Sequence, residues 1–251
     1  CKELLDLYLK RVEKYNPRLN AIIASDIPAA QKRARAADAA AKKRAKLGPL
    51  HGVPMTIKES FNVVGMPTTW GVPDLKNNYP ARNALAVDRF LAAGAVLFGK
   101  TNVPIYLADW QSYNAIYGTT NNPWDLSLSP GGSSGGSAAA LAAGLTGIDA
   151  GSDIGSSIRN PAHYCGIYGH KPSWGICSPR GHAMPGVVAQ SDISAIGPLA
   201  RSAEDIALAL SVMAGPDEID GAGWKLSLPA PRRKALREFM VAVMLTDPNS
   251  E

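Results

Sequence analysis

The sequence predicts a layered α/β fold, because helical and strand-like patterns alternate along its 251 residues. Apolar residues recur at helical spacing over residues 3–15, and a second, alanine-rich helix is predicted for residues 29–46. Strand patterns follow at residues 52–58 and 95–98. With 46% hydrophobic and 19% charged residues, the composition suits a globular chain with a sizeable core.

The early elements end at recognisable stop signals. Asn16-Pro17 stops the first helix, because the residue before a proline is biased away from helical geometry. Gly48-Pro49 ends the second helix. In the strand that follows, Val53, Met55 and Ile57 alternate with other residues, as one half-buried face of a sheet requires.

Further helices and loops are predicted downstream. In order, they are a helix at 87–93, a loop at 119–137, a small-residue helix at 138–145, a loop at 151–157 and a helix that begins at Ser202. Ser202 and Asp205 form a capping box for this last helix, and Gly215-Pro216 terminates it.

Composition and charge favour a cytoplasmic protein that contacts neither membranes nor nucleic acids directly. No stretch approaches the ~18 consecutive apolar residues of a membrane helix, and the chain opens on Cys1-Lys2-Glu3 rather than on a signal peptide. Three cysteines without framework spacing fit a reducing compartment. Much of the net charge of +5 sits in residues 32–46, a predicted helix without aromatic residues for base stacking.

Two familiar motif patterns are present, and the sequence around each argues against it. Residues 94–101 match the P-loop pattern, but the variable positions (Ala-Val-Leu-Phe) predict a strand where a phosphate-binding turn is needed. Residues 132–136 match Gly-x-Ser-x-Gly, the nucleophile elbow, but no hydrophobic strand precedes them. A serine hydrolase that uses His163, His170 or His182 as its base remains the rival enzyme class.

Five potential metal ligands fall within twenty residues, but their spacing is not that of a zinc site. None forms a Cys-x-x-Cys or His-x-x-x-His pair. We therefore interpret them as buried thiols and hydrogen-bonded imidazoles, and predict no metal. These residues are His163, Cys165, His170, Cys177 and His182.

Lys58 and two segments rich in glycine and serine are suited to amide hydrolysis, which needs a nucleophile, a base and donors for the oxyanion. Lys58 ends an apolar strand, where burial can lower the pKa of its ammonium group enough for it to act as a base. In residues 131–137 and 151–157, bare backbone N–H groups can face one point. Taken singly, Lys58 also fits a surface lysine, and both segments fit ordinary turns.

These segments resemble the defining region of the amidase signature family. The resemblance runs from Pro130-Gly-Gly-Ser-Ser-Gly-Gly-Ser-Ala-Ala-Ala140 to Gly151-Ser-Asp-Ile-Gly-Ser-Ser-Ile-Arg-Asn-Pro-Ala162. Nearly the whole chain aligns with the family in order. The resemblance implies an α/β fold in which a central mixed β-sheet is flanked by helices (α/β/α). Further matching blocks are Gly52–Lys58, Gly99–Asn102, Gly118–Pro123, Cys165–Gly166 and Gly169–Pro172.

The resemblance implies a catalytic triad of Lys58, Ser133 and Ser157. Ser157 would attack the amide carbonyl, and Ser133, after a cis peptide bond with Gly132, would relay the proton to neutral Lys58. The oxyanion hole would consist of the backbone N–H groups of Ile154, Gly155, Ser156 and Ser157. The supporting side chains would be Ser134, Asp153 and Arg159. No metal or organic cofactor is implied.

Two departures from the family pattern bear on this hypothesis. The family usually has glycine before the nucleophile, whereas this chain has Ser156, which could narrow the acyl pocket or add a hydrogen bond. Family members also run considerably longer. Residues 1–251 are therefore expected to be the N-terminal and core part of a single amidase-signature domain that lacks its C-terminal portion and is truncated at both ends.

The implied function is an amidase that hydrolyses the C–N bond of a small carboxamide through an acyl-enzyme on Ser157, releasing a carboxylic acid and ammonia or an amine. One alternative is the glutaminase subunit of a tRNA-dependent amidotransferase, and another is a non-catalytic truncated module. The substrate and the oligomeric state stay open, with a homodimer among the options. Aromatic residues that could line the pocket, or equally the core, are Trp70, Trp110, Tyr113 and Trp174.

Overall fold

The computed structural model describes residues 1–187, 189, 191–230, 232–233, 235–243 and 246. Helices and strands alternate along the chain, which confirms the predicted α/β class. In chain order they are α1 (Lys2–Leu19), β1 (Ile22–Ser25), α2 (Ile27–Lys42), β2 (Pro54–Lys58), α3 (Leu85–Ala92), β3 (Val96–Thr101), β4 (Tyr113–Asn114), β5 (Gly118–Thr119), α4 (Gly135–Ala142), β6 (Asp149–Asp153), α5 (Arg159–Cys165), β7 (Tyr168–Gly169), β8 (Ala195–Ala200) and α6 (Ala203–Met213). Short 3₁₀ turns lie at Pro73–Leu75, Ile105–Leu107, Asp220–Ala222 and Leu236–Glu238.

The central sheet is mixed, as the family resemblance implies. One half has the strand order β1-β3-β2, in which β3 runs parallel to β2 and antiparallel to β1. The other half has the order β6-β8-β7, with antiparallel pairs. A parallel bridge between Met55 and Ile148 joins β2 to the residue before β6. The strand order across the whole sheet is therefore β1-β3-β2-β6-β8-β7, with β4 and β5 as a separate pair.

Helices cover both faces of this sheet, and successive side chains of β3 show the layering. Leu97 packs in one apolar cluster with residues of α3 and α6. Val96 and Phe98 point to the opposite face and pack with residues of α1, α2 and α4. Because strand side chains alternate between the two faces, this division defines the predicted three-layer α/β/α arrangement.

Several element boundaries differ from the predicted ones, for reasons of packing. Helix α4 begins at Gly135 rather than at 138, so two glycines lie in its first turn. Gly136 is required there, because a Cβ would lie 2.3 Å from the backbone nitrogen of Asn102. Strand β3 continues through Gly99, Lys100 and Thr101. The P-loop pattern is therefore part of a buried strand, as its apolar variable positions predict.

The topology brings the carboxyl ends of neighbouring parallel strands to one edge of the sheet. Strand β2 ends at Lys58, and β6, which is bridged to β2 in parallel, ends at Asp153. The loop before α4 crosses this edge and carries Ser133. In open α/β sheets this edge is the usual place for a ligand.

Candidate active site

Lys58 is the buried centre of the candidate site. Its side chain has no exposed surface, although it carries an amine. Nζ lies 2.7 Å from Ser133 Oγ, 3.0 Å from Ser152 Oγ and 3.4 Å from the Ser152 carbonyl oxygen. These contacts satisfy the amine without placing a carboxylate against it, so its charged form has little local compensation.

Burial changes the protonation of Lys58. Removal from water lowers the pKa of its ammonium group from 10.5 to about 7, and the carboxyl groups of Asp153 and Asp149 oppose this shift only partly. A lysine with a pKa near 7 is largely available as a neutral base at physiological pH. This is the property that sequence analysis assigns to Lys58.

The loop before α4 holds Ser133 against Lys58 and links it to the next loop. The Gly132–Ser133 peptide bond is cis, as the family resemblance implies. The N–H of Gly132 donates to Asn160 Oδ1 at 3.2 Å. Ser134 is fully buried, and its N–H donates to the carbonyl oxygen of Ser157 at 3.1 Å. The predicted supporting residue Ser134 thus joins the segments that carry Ser133 and Ser157.

Asp153 organises the turn that leads to Ser157. Its carboxylate accepts hydrogen bonds from the N–H groups of Ser156, Ile158 and Arg159 at 2.9, 3.0 and 3.2 Å. The Arg159 guanidinium adds two more bonds at 3.0 and 2.9 Å. Burial alone would raise the pKa of Asp153, but these hydrogen bonds outweigh it and hold the pKa well below its usual value. Asp153 and Arg159 thus hold the turn that carries Ser157, and their supporting role in catalysis stays a prediction.

The backbone of residues 154–157 is fixed from several sides. Lys171 Nζ donates to the Ile154 carbonyl oxygen at 3.0 Å, and Trp110 Nε1 donates to that of Gly155 at 2.8 Å. The N–H of Ser156 is directed at Asp153, so it is engaged and not free for an oxyanion. Of the four donors expected from the sequence, those of Ile154, Gly155 and Ser157 therefore remain candidates.

Ser156 has a backbone conformation that normally favours glycine. Its φ is 79°, inside the left-handed region. For a residue with a side chain, such a conformation costs roughly 1–2 kcal/mol. The glycine that the family usually has at this position would avoid that cost. The turn before Ser157 therefore carries local strain in this chain.

Ser157 lies where two cavities meet. One cavity, of about 660 Å³, is also lined by Ser133 and Ser152. The other, of about 810 Å³, is lined by Trp110 and other residues of the same loop. Ser157 is only 5% exposed, yet it lines both. The nucleophile expected from the sequence can therefore be reached from two directions.

The aromatic residues proposed for the pocket divide into two groups. Trp70 lines the first cavity and Trp110 the second. Tyr113 and Trp174 line neither; the Tyr113 hydroxyl contacts Asp109 Oδ2 at 3.3 Å, and Trp174 Nε1 donates to the Ser191 carbonyl oxygen at 2.9 Å. Other residues that line the first cavity carry no signal in the sequence; they include Tyr106, Leu107, Met184 and Val187.

His182, which the sequence offers either as a base or as a hydrogen-bonded imidazole, lines the first cavity. Its imidazole is packed against Phe61 and Trp70, with ring centroids 4.5 and 5.1 Å away. Nε2 lies 2.9 Å from Ser60 Oγ. Burial, together with the nearby positive charge of Lys58, lowers the pKa of His182 to about 3, so the ring is neutral at physiological pH.

The nucleophile-elbow interpretation finds less support in the geometry. In the Gly-x-Ser-x-Gly pattern the central serine is Ser134, which is fully buried and donates to the Ser152 carbonyl oxygen at 3.4 Å. No strand of the described chain leads into it. Among the described residues, no three His, Cys, Asp or Glu side chains come together as a metal site. None of the described helices is both long and apolar enough to cross a membrane.

Comparison with known proteins gives a consistent answer. The model of the Amidase family matches residues 3–251. A glutamyl-tRNA(Gln) amidotransferase subunit from Anaeromyxobacter sp. (strain K) is 42% identical over 87% of this chain and 44% of its own length. An acylamidase from Rhodococcus erythropolis is 40% identical over 87% of this chain and 45% of its own length.

A solved structure is similar along the same region. It is a bacterial aryl acylamidase that belongs to the amidase signature enzymes; the TM-score is 0.83 at 31% identity, over 90% of this chain and 47% of that one. The chain thus spans less than half the length of these relatives. Its fold, its site segments and its family match agree with one another, and the chain belongs to the amidase signature family.

Proposed function

We propose that this chain carries the catalytic centre of an amidase, which cleaves the C–N bond of a carboxamide through an acyl-enzyme on Ser157. The observation that carries the proposal is the hydrogen bond of 2.7 Å between buried Lys58 Nζ and Ser133 Oγ, beside a cavity that Ser157 also lines. Residues 1–251 act in this proposal as the N-terminal and core part of a single amidase-signature domain, located in the cytoplasm. Its partner is a small-molecule amide.

In the first step Ser157 Oγ attacks the carbonyl carbon while its proton passes to Ser133 Oγ, and the Ser133 proton passes to Lys58 Nζ. Lys58 can accept this proton because burial keeps its pKa at about 7. The N–H groups of Ile154, Gly155 and Ser157 stabilise the oxyanion. One such donor is typically worth about 10²–10³ in kcat.

In the second step the C–N bond breaks and the leaving nitrogen receives a proton from Ser133, which Lys58 re-protonates. Water then attacks the acyl-enzyme, and the same relay runs again to release the acid and restore Ser157. Asp153 fixes the turn throughout, because its carboxylate holds three backbone N–H groups and the Arg159 side chain.

A glutaminase subunit of a tRNA-dependent amidotransferase is the second candidate, because a glutamyl-tRNA(Gln) amidotransferase subunit is 42% identical to this chain. The chemistry at Ser157 would be the same. Glutamine would, however, bring a charged α-amino and a charged α-carboxylate group into the site, and each would need a counter-charge. The two candidates therefore differ in the charges that surround the acyl group.

The proposal is tested by covalent labelling with a fluorophosphonate, followed by peptide mass spectrometry. The protein that carries this chain should form one adduct, on Ser157, and the Ser157→Ala variant should form none. Ser173→Ala is the matched control, because Ser173 is an exposed serine outside both cavities. Release of ammonia from glutamine is measured in parallel.

Each result decides between the candidates. An adduct on Ser157 in both the wild type and the Ser173→Ala control supports an activated serine at position 157. No adduct on protein with native circular dichroism, or an adduct on another serine, would refute the proposed centre and favour a non-catalytic module. Ammonia release from glutamine, with no hydrolysis of other amides, would favour the amidotransferase subunit.

A further inference from the structure

We propose that the site is built for N-substituted amides whose nitrogen carries an apolar or aromatic group, rather than for primary amides that release ammonia. This inference rests on the proposed function, because it uses the roles of Ser157 and Ser133. It concerns the two cavities that meet at Ser157. It adds the substrate class, which family membership leaves open.

The position of Ser157 between two cavities is the first argument. Leu107, Ile154 and Ser157 line both cavities, which have volumes of about 660 and 810 Å³. Sites for small molecules commonly measure about 300–1,000 Å³, so each cavity alone can hold a substituent of drug-like size. A scissile amide at Ser157 can therefore extend in two directions, one from its carbonyl carbon and one from its nitrogen.

The proton relay tells which cavity belongs to the nitrogen. In the proposed mechanism Ser133 protonates the leaving nitrogen, so this nitrogen must lie in front of Ser133. Ser133 lines the 660 Å³ cavity but not the other one. We therefore name the first the amine-side cavity and the second the acyl-side cavity. A primary amide would leave the amine-side cavity without an occupant.

The wall of the amine-side cavity matches an apolar or aromatic group. Trp70, Tyr106 and His182 contribute rings to it, and Met184 and Val187 contribute aliphatic surface. When two aromatic rings stack or meet edge to face, their contact contributes binding free energy beyond that of burying their surface. His182 fits this wall as an uncharged ring, because its burial opposes protonation.

Two of the charged residues that line the same cavity, Arg180 and Asp217, have contacts of their own. Arg180 faces Asp88 at 3.8 Å and Glu218 at 3.7 Å. The carboxylate of Asp217 accepts hydrogen bonds from the N–H groups of Ile219 and Asp220 at 2.9 and 3.0 Å. Arg180 and Asp217 are thus engaged outside the substrate, so an uncharged substituent can enter beside them without taking away their partners.

The aromatic wall is also fixed in place before a substrate arrives. The N–H of Trp70 donates to the buried carboxylate of Glu59 at 2.9 Å. The Trp70 ring contacts that of His182, which in turn is held by Ser60 at 2.9 Å. A preformed wall lowers the entropy that binding would otherwise cost.

The experiment compares two substrates that share an acyl group, acetanilide and acetamide. The amine-side cavity should give the protein a higher kcat/KM for acetanilide by about tenfold or more, the factor expected from burying a phenyl ring. Val187→Trp, which fills this cavity, should lower the acetanilide-to-acetamide ratio by about tenfold. Val64→Trp is the control; both valines are 54% exposed, but Val64 lines neither cavity, so the ratio should not change.

The results separate this inference from the proposed function. If Ser157 is labelled but acetamide is the better substrate, or if Val187→Trp leaves the ratio unchanged, the substrate class is wrong and the amidase centre stands. If Ser157 is not labelled, the proposed function itself fails. Ser157 could also be labelled while neither amide is hydrolysed. In that case acetanilide should slow the labelling of the wild type more than acetamide does, and this difference should be lost in Val187→Trp. If both amides slow the labelling of the wild type equally, the inference is wrong.

Discussion

Lys58 shows how one residue changes character through its place in the fold. In the sequence, a lysine at the end of a strand can be either an exposed surface residue or a buried base. Only its burial in the fold distinguishes the two. The structure encloses its side chain completely and gives the amine three oxygen contacts, from Ser133 and Ser152. The lowered pKa follows from this enclosure, because the charged form loses its hydration.

The protonation of Lys58 leads to a prediction about pH. Because the neutral amine is the base, the rate of Ser157 labelling by a fluorophosphonate should rise with pH and level off above a pKa of about 7. Below that pKa the ammonium form dominates and cannot accept the Ser133 proton. Lys58→Ala should lower the rate by roughly 10²–10⁴, the usual value of a general base.

The same experiment has a clear control. Lys32 is an exposed lysine on α2, so Lys32→Ala should keep both the rate and the pH profile of the wild type. A wild-type profile that is flat between about pH 6 and 8.5, or a rising limb that persists in Lys58→Ala, would exclude Lys58 as the titrating base.

At the scale of elements, the sequence predicted those with strong periodicity and missed those shaped by close packing. The first two helices and the strand that ends at Lys58 form where their apolar patterns predict, but the predicted helix ends were wrong. Helix α1 continues through Pro17 to Leu19, and α2 ends at Lys42. Strand β6, Asp149–Asp153, has no such pattern and falls partly in a predicted loop. Its small residues are needed because a Cβ on Gly151 would lie 2.6 Å from Ser134 Oγ. No local propensity encodes that approach.

The candidate site divides in the same way. The roles of Lys58, Ser133 and Ser157 follow from the resemblance of their segments to the amidase signature and stay predictions; the structure brings Lys58 and Ser133 within 2.7 Å. Tyr106, His182 and the other cavity residues come from separate loops that only the tertiary fold brings together. The sequence around them carries no comparable signal, and His182 fitted a buried core residue equally well.

The loop that carries Trp70 is held by two buried charged side chains, Glu59 directly after β2 and Lys100 on β3. The Glu59 carboxylate accepts hydrogen bonds from the N–H groups of Thr69 and Trp70. Lys100 Nζ, on β3, donates to the Pro67 carbonyl oxygen and to Thr68 Oγ1. Both charged side chains are fully buried, so each depends on these contacts and on the other's charge.

Removal of one of these charges should therefore destabilise the protein strongly. Lys100→Met should lower the free energy of unfolding by roughly 3–5 kcal/mol, because Glu59 would keep a buried charge without a counter-charge. Urea denaturation measures this loss. Lys76→Met, at an exposed lysine, should change it by less than about 0.5 kcal/mol.

A double-mutant cycle tests the electrostatic explanation. Glu59→Gln combined with Lys100→Met should cost clearly less than the sum of the two single changes, because no unpaired charge remains. Strict additivity, or a loss for Lys100→Met no larger than for Lys76→Met, would mean that the two charges do not depend on each other.

At the scale of the whole molecule, the two halves of the sheet are tied together at several points. The N–H of Thr56 donates to the Ile148 carbonyl oxygen at 3.3 Å, and that of Gly147 to the Pro54 carbonyl oxygen at 3.0 Å. Arg201, just after β8, donates to the carbonyl oxygens of Leu141 and Thr146 at 3.1 and 2.7 Å. The candidate site depends on this junction, because β2 ends at Lys58 and β6 ends at Asp153, which holds the turn before Ser157.

This continuity predicts that the described fold unfolds as one unit, although two-state behaviour is the norm only for domains below about 150 residues. Ile57 packs in the cluster with α3 and α6, and Ile22 packs on the opposite face with α1 and α2. Ile57→Val and Ile22→Val should each lower the free energy of unfolding by roughly 0.5–1.5 kcal/mol. Each should shift a single transition, seen at the same urea concentration by tryptophan fluorescence and by far-UV circular dichroism.

The exposed change Val64→Ala serves as the control and should shift the midpoint little, since Val64 is 54% exposed. Two separate transitions, with Ile57→Val moving one and Ile22→Val the other, would show that the faces of the sheet fold independently. In that case β2 could keep Lys58 in place while the loops around Ser157 open, and the site would assemble only when both units are folded. A single shared transition instead means that any loss of packing, on either face, weakens the site as a whole.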